Sequence, residues 1–409
     1  MKYVLLLCAF VLMLASSSFA ITMDEAVDMA LKDNPDLREA RQEKIAAQGK
    51  LDQASLLLSS NPVIEGTSAE KKYPADAGGE EFNNYEVRLS QEFEIAGQRG
   101  LRKDAAGKAL EKTMQEIRDR ERLLIADVKD VFAKALAAKR KKALTEETVK
   151  LQEELYSFAE TKFKAGDVAA LEMNLASVEL GKAKRDLLQA SSEERTAILA
   201  LQALLGLKSD QSFTVQGDLP TEIAAVPAKE GLKQLADSRR PDIKAASADV
   251  DSTASAMKLA GRSGFPNVTV SGFIEKDERA NITGLALSVP LPLFNRNQAE
   301  RKEASTRAEQ ANIRQASLEK SIDRELEEAY ASLVSAAEEL GLFRKEILEK
   351  ALENLELMNL SYKEGKIGFF EVRLAQKDTL EAQFAYLDSQ LRTQLAMNAL
   401  EKATGGSLK

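Results

Sequence analysis

The stretch "NYEVRLSQEFEIAGQRGLRKDAAG", residues 83–106, limits what this chain can become more than any other feature. From Tyr85 the apolar side chains fall on alternate positions, Tyr85, Val87, Leu89, Phe93 and Ile95, with Asn84, Glu86, Arg88, Ser90, Glu92 and Glu94 between them. That is the period of a two-sided strand. After Gly97 the pattern becomes helical and heavily charged, with no turn between the two regimes. The fold must therefore let a long amphipathic strand run directly into a helix.

The second constraint is an internal repeat. "KFKAGDVAALEMNLA" (162–176) and "SYKEGKIGFFEVRLA" (361–375) superpose at a constant separation of 199 residues, at Gly166 and Gly365, Glu172 and Glu371, and Ala176 and Ala375. Upstream, "DNPDL" and "RRPDI" are 206 apart at Pro35 and Pro241, and "RLSQ" and "ALSV" 198 apart at Leu89 and Leu287. The drift falls mostly at "PADAGGEE", a polar turn that tolerates insertion. One structural unit is thus used twice.

All nine prolines avoid residues 75–219 and 293–409, tracts rich in Ala, Leu, Glu, Lys and Gln, which predicts long helices there. The expected organisation is a first repeat over 21–206, with strands near 62–73 and 82–95 and helices over 98–164 and 168–206. A linker over 207–229 leads to a second repeat over 230–405, with strands near 266–277 and 281–293 and helices over 297–364 and 369–404, then a tail over 406–409. The longer helices would each reach ~100 Å at ~1.5 Å per residue. Ile322, Leu326, Ala329, Leu333, Ala336, Leu340, Phe343 and Ile347 step alternately by four and three, the seam of a left-handed supercoil. The seam then hops one residue to Leu348, Leu352, Leu355 and Tyr362. In the last strand Thr283, Leu285, Leu287, Val289, Leu291 and Leu293 share one face, opposite Gly284, Ala286 and Ser288.

The address agrees with such a strand. "MKYVLLLCAFVLMLASSSFA" (1–20) has a charged start at Lys2, an apolar stretch and small residues at Ser18 and Ala20, the pattern of a signal peptide cleaved before Ile21. The other reading, an uncleaved anchor, meets an apolar stretch short of the ~20 residues a spanning helix needs. Cys8 is the only cysteine, so the mature chain has no disulfide and no thiolate chemistry. There is no histidine or tryptophan, 30% of residues are charged and the net charge is -8, which disfavours nucleic-acid binding. Exported strands that are apolar on the outer face carry the signature of an outer-membrane barrel, because lipid leaves no backbone edge satisfied. Four strands are too few to close one, so several copies would have to share it. Edge strands of a soluble β-domain at the end of a coiled coil are the competing account.

Over nearly its whole mature length the chain resembles the TolC-type outer-membrane efflux family, from "TMDEAVDMALKDNPDLREAR" (22–41) to the last helix. Within it, "SQEFEIAGQRGLRKDAA" (90–106) and "LSVPLPLFNRNQAE" (287–300) are similar to the CzcC-like subgroup, which serves heavy-metal efflux pumps. The resemblance implies a mainly α fold with a membrane β-barrel. Three chains would contribute four strands each to a 12-stranded barrel in the outer membrane, above a coiled-coil helical tunnel in the periplasm. It implies a homotrimer in contact with outer-membrane lipid, a periplasmic adaptor protein and an inner-membrane, proton-driven RND-type pump. Ala165, Gly166, Asp167 and Val168, with Gly365, Lys366, Ile367 and Gly368, would be the adaptor-docking turns. Glu371, and Glu172 as its repeat counterpart, would line the tip constriction as carboxylate rings. The alternative is that each is an early-helix acid placed by the helix dipole. A second acidic position of the family is Leu374 here, so the gate would be weaker or differently built. Gly97, Pro290 and Pro292 would mark the passage from barrel to tunnel.

Catalysis is not expected. Without histidine or mature cysteine only carboxylates, lysines and hydroxyls remain, and no cluster of them interrupts the helical pattern. "DAAGKAL" (104–110) lacks the spaced glycine and the Ser/Thr of a phosphate loop. No cofactor and no metal-ligand set is expected, so a metal cargo would be conducted and not chelated. The functional expectation is a passive export duct. Organic-compound efflux, type I protein secretion and a non-conducting coiled-coil stalk stay open beside heavy-metal export.

Overall fold

Each half of the chain contributes short helices, two strands and a pair of long helices, and the halves interleave in space. The computed structural model describes residues 19–166, 169–223, 228–364 and 366–408. The expected leader over 1–20 lies outside the described residues except for Phe19 and Ala20. The first half runs β1 (Phe19–Ile21), α1 (Met23–Asp33), α2 (Pro35–Ser55), β2 (Val63–Lys72), β3 (Glu81–Phe93), α3 (Gln98–Ala165) and α4 (Ala170–Leu205). After β4 (Phe213–Val215), the second runs α5 (Leu232–Arg239), α6 (Pro241–Arg262), β5 (Val268–Asp277), β6 (Ala280–Ser288), α7 (Gln298–Leu342), α8 (Glu349–Lys363) and α9 (Phe369–Thr404). Two compact units result, one from residues 1–38, 120–240 and 322–409, the other from 39–119 and 241–321. Neither unit coincides with a sequence repeat.

The first unit holds the main apolar core. Ile21, Ala26 and Ala30 meet Val128, Phe132 and Leu136 of α3, Leu201 and Leu205 of α4, and Phe213 and Val215 of β4. α1 starts on a capping box in which Thr22 and Glu25 satisfy each other's backbone N–H groups. β1 and β4 pair in parallel, Ile21 opposite Val215; strands of three residues carry no periodic signal, and the sequence reading missed both.

The two repeats end their last helices in matching joints. Asn34, before Pro35, donates from Nδ2 to Leu204 O at 2.9 Å. Arg240, before Pro241, donates from Nη1 to Ala403 O at 3.0 Å. Gly206 and Gly405 cap α4 and α9 at φ 68° and 89°. A Cβ on Gly206 would stand 2.5 Å from the Asp33 carbonyl oxygen, a backbone atom that cannot swing away. Gly206→Ala should therefore cost about 2 kcal/mol, from the left-handed backbone and the forced contact together, read as a lowered urea midpoint.

The seam from Ile322 to Leu340 is buried along α7 at each predicted position. The expected continuous helix over 297–364 is, however, interrupted: residues Phe343–Leu348 form a π-helical turn between α7 and α8. Such a turn holds an additional residue, which resets the phase of the seam where the sequence hops from Ile347 to Leu348. Beyond it Ala351, Leu355 and Asn359 are half-buried and Leu352 is exposed, so the continuation through Leu352 is corrected by one position.

Asp130 of α3 is half-buried, and burial raises its carboxyl above the ordinary value against the hydrogen bond from Asn398 at 2.8 Å and the attraction of Lys134. A raised folded pKa contributes stability below the unfolded pKa that is lost as pH rises through the folded one. Asp130→Asn keeps an acceptor for Asn398 and removes that loss. It should melt higher than wild type near neutral pH, and the gap should close below about pH 4.

In the second unit Asp249 of α6 ties α3 to α7, accepting from Lys112 at 3.0 Å and Arg314 at 2.9 Å. Burial pushes its carboxyl up, and the two cations outweigh it, holding the group below its ordinary value. Arg99 and Arg102, in the first turns of α3, donate to the carbonyls of Ala54, Ser55 and Leu56 at the end of α2. Cations there satisfy orphan carbonyls and complement the helix dipole. The four-stranded sheet of this unit is antiparallel in the order β2-β3-β5-β6, so its central pair joins the two repeats.

Candidate functional site

The sheet has an apolar and a polar face, and the apolar one is open. Cross-strand partners share a face, so the register places Ile64, Leu89, Gly272 and Leu285 at one level, with Val87 and Ile274 above and Val270 and Leu287 below. Leu285 is 84% exposed and Leu287 70%. The opposite face carries Thr67, Glu86 and Glu275 at one level and Glu65, Arg88 and Phe273 at the next. From Asn84 to Phe93 the polar positions of β3 are the half-buried ones, the reverse of a sheet in water. On the polar face Arg88 pairs with Glu86 at 2.5 Å and lies over the Phe273 ring, 5.0 Å from its centroid. Phe273 in turn covers Gly284, where a Cβ would clash with the ring.

Strand ends differ from expectation in one place. Residues 281–293 were expected as one strand, but β6 ends at Ser288, because Pro290 and Pro292 have no N–H to extend the ladder. At the far end β5 and β6 join through Glu278, at φ 56°, and Arg279, with the Glu278 N–H held by Asn84 Oδ1 at 2.9 Å.

The strand-to-helix passage is built twice with the same parts. Gly97 has φ 78° immediately before α3, and Asn297, 200 residues on, has φ 61° immediately before α7. The first helical residue of each folds its side chain back: Gln98 Oε1 accepts from the Ala96 N–H at 2.7 Å, and Gln298 Oε1 from the Arg296 N–H at 2.8 Å. Sequence reasoning found Gly97 and passed over Asn297, Gln98 and Gln298; the shared "GQ" and "NQ" were the available signal. Pro290 and Pro292 lie upstream, in the irregular segment after β6.

The helix reversals hold the other predicted residues. Ala165 ends α3, and Gly166 follows at φ 81°, its N–H bonded to Phe163 O at 3.0 Å. Asp167, Val168 and Gly365 lie outside the described residues. The Lys366 N–H reaches Ser361 O at 2.9 Å, Ile367 follows, and Gly368 is the N-cap of α9. Glu172 and Glu371 each occupy the third position of their helices, α4 and α9, and both are exposed. Glu371 folds back over the helix start, its Oε2 2.9 Å from where a Gly368 Cβ would sit. Leu374, one turn on, is exposed. Beside these reversals α4 and α9 are joined by Arg373 and Glu179 at 3.0 Å. A hydrogen bond from Lys182, assisted by the Arg373 charge, keeps the Glu179 carboxyl below its ordinary value. A groove of about 660 Å³ opens there, lined by Leu144, Leu151, Leu175, Phe370 and Leu374.

Among the described residues no group of three or more His, Cys, Asp or Glu is placed to hold a metal ion. No helix among them is long and apolar enough to cross a membrane.

The sequence profile of the outer membrane efflux protein family matches residues 26–207 and 232–406. The cobalt-zinc-cadmium resistance protein CzcC of Cupriavidus metallidurans is 24% identical over 388 residues, covering 94% of this chain and 90% of that protein. The pyoverdine export outer membrane protein OpmQ of Pseudomonas aeruginosa is 25% identical over 413 residues, covering 94% and 85%. Among solved structures, that of CusC, described for its folding and transmembrane channel formation, superposes with a TM-score of 0.79 at 20% identity, over 95% of this chain and 94% of that one.

Proposed function

From the premise that this chain belongs to the outer membrane efflux protein family, we propose that it is the passive outer-membrane duct of a heavy-metal cation exporter. Its place is the outer membrane, and its task is efflux, not catalysis. Both edges of the four-stranded sheet, β2 and β6, are without a partner among the described residues, and lipid tolerates no such edge. Three copies joined edge to edge, giving 12 strands, meet that requirement, with the long helices continuing into the periplasm. A periplasmic adaptor then meets the reversals at Ala165–Gly166 and Lys366–Gly368, and an inner-membrane, proton-driven pump supplies the energy.

The observation that carries the cation reading is the polar face of the sheet, where Glu65, Glu86, Glu92, Glu275 and Asp277 outnumber Lys71 and Arg88. Repeated in each copy, that face gives a lumen that attracts cations and repels anions. The likeness to a cobalt-zinc-cadmium resistance protein supports the same cargo. Exposed Leu374 and the comparable identity to a pyoverdine exporter favour organic solutes as the second reading.

Two measurements separate the readings. A strain lacking the gene should lose tolerance to divalent heavy-metal ions and keep its tolerance to antibiotics and detergents; the converse pattern assigns the duct to organic solutes. In planar bilayers the purified protein should prefer cations, and Glu371→Gln should lower that preference. Unchanged selectivity would return Glu371 to the bland role of an acid at a helix start.

A further inference from the structure

We propose that Val289–Phe294, the irregular segment between β6 and α7, lies against lipid acyl chains on the helix side of the outer membrane and extends the lipid-facing band beyond the end of the sheet. The inference rests on the membrane sheet and is independent of what the duct exports.

The segment keeps the phase of the strand after the strand has ended. Leu285 and Leu287 stand on the open face of β6, and the alternation continues at Val289 (41% exposed), Leu291 (75%) and Leu293 (65%), before Phe294 at 92%. A phenylalanine so open to water loses the ~1.5–3 kcal/mol that burial of its ring would contribute. Four such side chains in six residues form a contiguous patch, which marks an interaction site.

Part of the backbone is prepared for a medium without water. Irregular chain is costly in lipid because its N–H and C=O groups lack partners. Here Pro290 and Pro292 have no N–H, and the Leu293 N–H bonds Leu291 O at 2.9 Å. The Pro292 carbonyl accepts from Arg296 Nε at 3.3 Å and the Phe294 carbonyl from Gln298 Nε2 at 3.2 Å. Downstream, Asn297 Nδ2 donates to Ala260 O at 3.2 Å, and the Arg296 carbonyl stands where a Cβ on Gly264 would be 2.9 Å away. Part of the segment's backbone is thus satisfied within the protein, while its apolar side chains stay open.

Band height selects lipid over a second copy of the chain as the occupant. On β3 the open apolar face runs from Tyr85 to Phe93, eight residue steps. That is ~27 Å along the strand and ~20 Å across the membrane at a ~40° tilt, short of the ~25 Å apolar band of outer-membrane barrels. Residues 289–294 continue in the missing direction. A neighbouring copy would pair with the hydrogen-bonding edge of β6, whereas these side chains project from its face. Between Leu287 and Asn297 the second repeat also has two residues more than the first has between Leu89 and Gly97, and Phe294 falls within that longer stretch.

Because the chain has no tryptophan, Phe294→Trp gives a single reporter in the intact protein. The variant, reconstituted in phosphatidylcholine vesicles, should emit at the short wavelength of indole in an apolar medium. Lipids brominated on the acyl chain near the carbonyl should extinguish most of that emission, and aqueous iodide should leave it intact. Leu285→Trp, on the paired strand, is the companion and should be quenched by lipids brominated deeper in the chain. Quenched Leu285→Trp beside an iodide-sensitive, lipid-insensitive Phe294→Trp overturns the anchor and leaves the barrel standing. A short-wavelength Phe294→Trp that brominated lipid does not touch overturns it in favour of the neighbouring copy. If neither variant responds to brominated lipid, the membrane sheet fails and the anchor with it. Should Phe294→Trp not assemble, Leu291→Trp carries the same readout.

Discussion

Leu285→Arg should abolish stable insertion into the membrane while leaving the helical part of each chain folded. The side chain is 84% exposed at mid-height of the sheet, level with Ile64 and Leu89. In a water-soluble protein a charge at so open a position would change stability by no more than about 0.5 kcal/mol. On the lipid face of a barrel, arginine near the midplane costs about 2–4 kcal/mol, or about 6–12 kcal/mol over the three copies of the proposed trimer, which is comparable with the whole stability of a domain. Ser288→Arg is the control: same strand, opposite face, also exposed, and expected to leave assembly intact. Urea unfolding from lipid vesicles measures both. Equal, small effects would mean that the sheet faces water on both sides.

Residues 83–106 and the seam on α7 were legible in the sequence because each repeats one physical requirement many times. Alternation over five apolar positions fixed the lipid face of β3, and steps of four and three fixed the buried stripe of α7. Features made by one residue at a time were not legible. The π-helical turn left only a one-residue hop at Ile347–Leu348, which reads equally as an irregular coiled coil. β6 was expected to reach 293 because the apolar alternation outlasts the hydrogen-bonded ladder; side-chain phase and backbone pairing part company at Pro290. At the helix reversals Glu371 was picked by its likeness to a family position and Glu172 as its repeat counterpart, yet what a ring of them does depends on further copies, which a single chain does not contain. The paired joints were hidden differently. Pro35 and Pro241 advertised the repeat, but the residues that make the bonds, Asn34 and Arg240, share neither size nor charge, and only the geometry shows that they act alike.

That difference gives Arg240 the larger stake. Its side chain is 4% exposed, and its Nη1 donates to Glu325 Oε2 at 2.8 Å as well as to the Ala403 carbonyl near the end of α9. Arg122 serves the next position, bonding the Lys402 carbonyl, so the negative end of the α9 dipole is met by two buried guanidinium groups. Arg240→Met keeps much of the stem packing and removes the charge. Breaking a buried pair costs about 3–5 kcal/mol, but Glu325 is partly exposed and can rehydrate, which reduces the expected loss to about 3 kcal/mol. The Ala403 carbonyl has less access to water and accounts for most of it. Arg240→Lys restores charge without the planar fork that reaches both acceptors, and should recover less than half of the loss. Glu325→Gln should cost about 1 kcal/mol and, combined with Arg240→Met, add little further, because the two groups share one interaction. A loss from Arg240→Met below about 1 kcal/mol, with full additivity in the double variant, would show that Pro241 and the Gly405 cap hold the joint without the guanidinium.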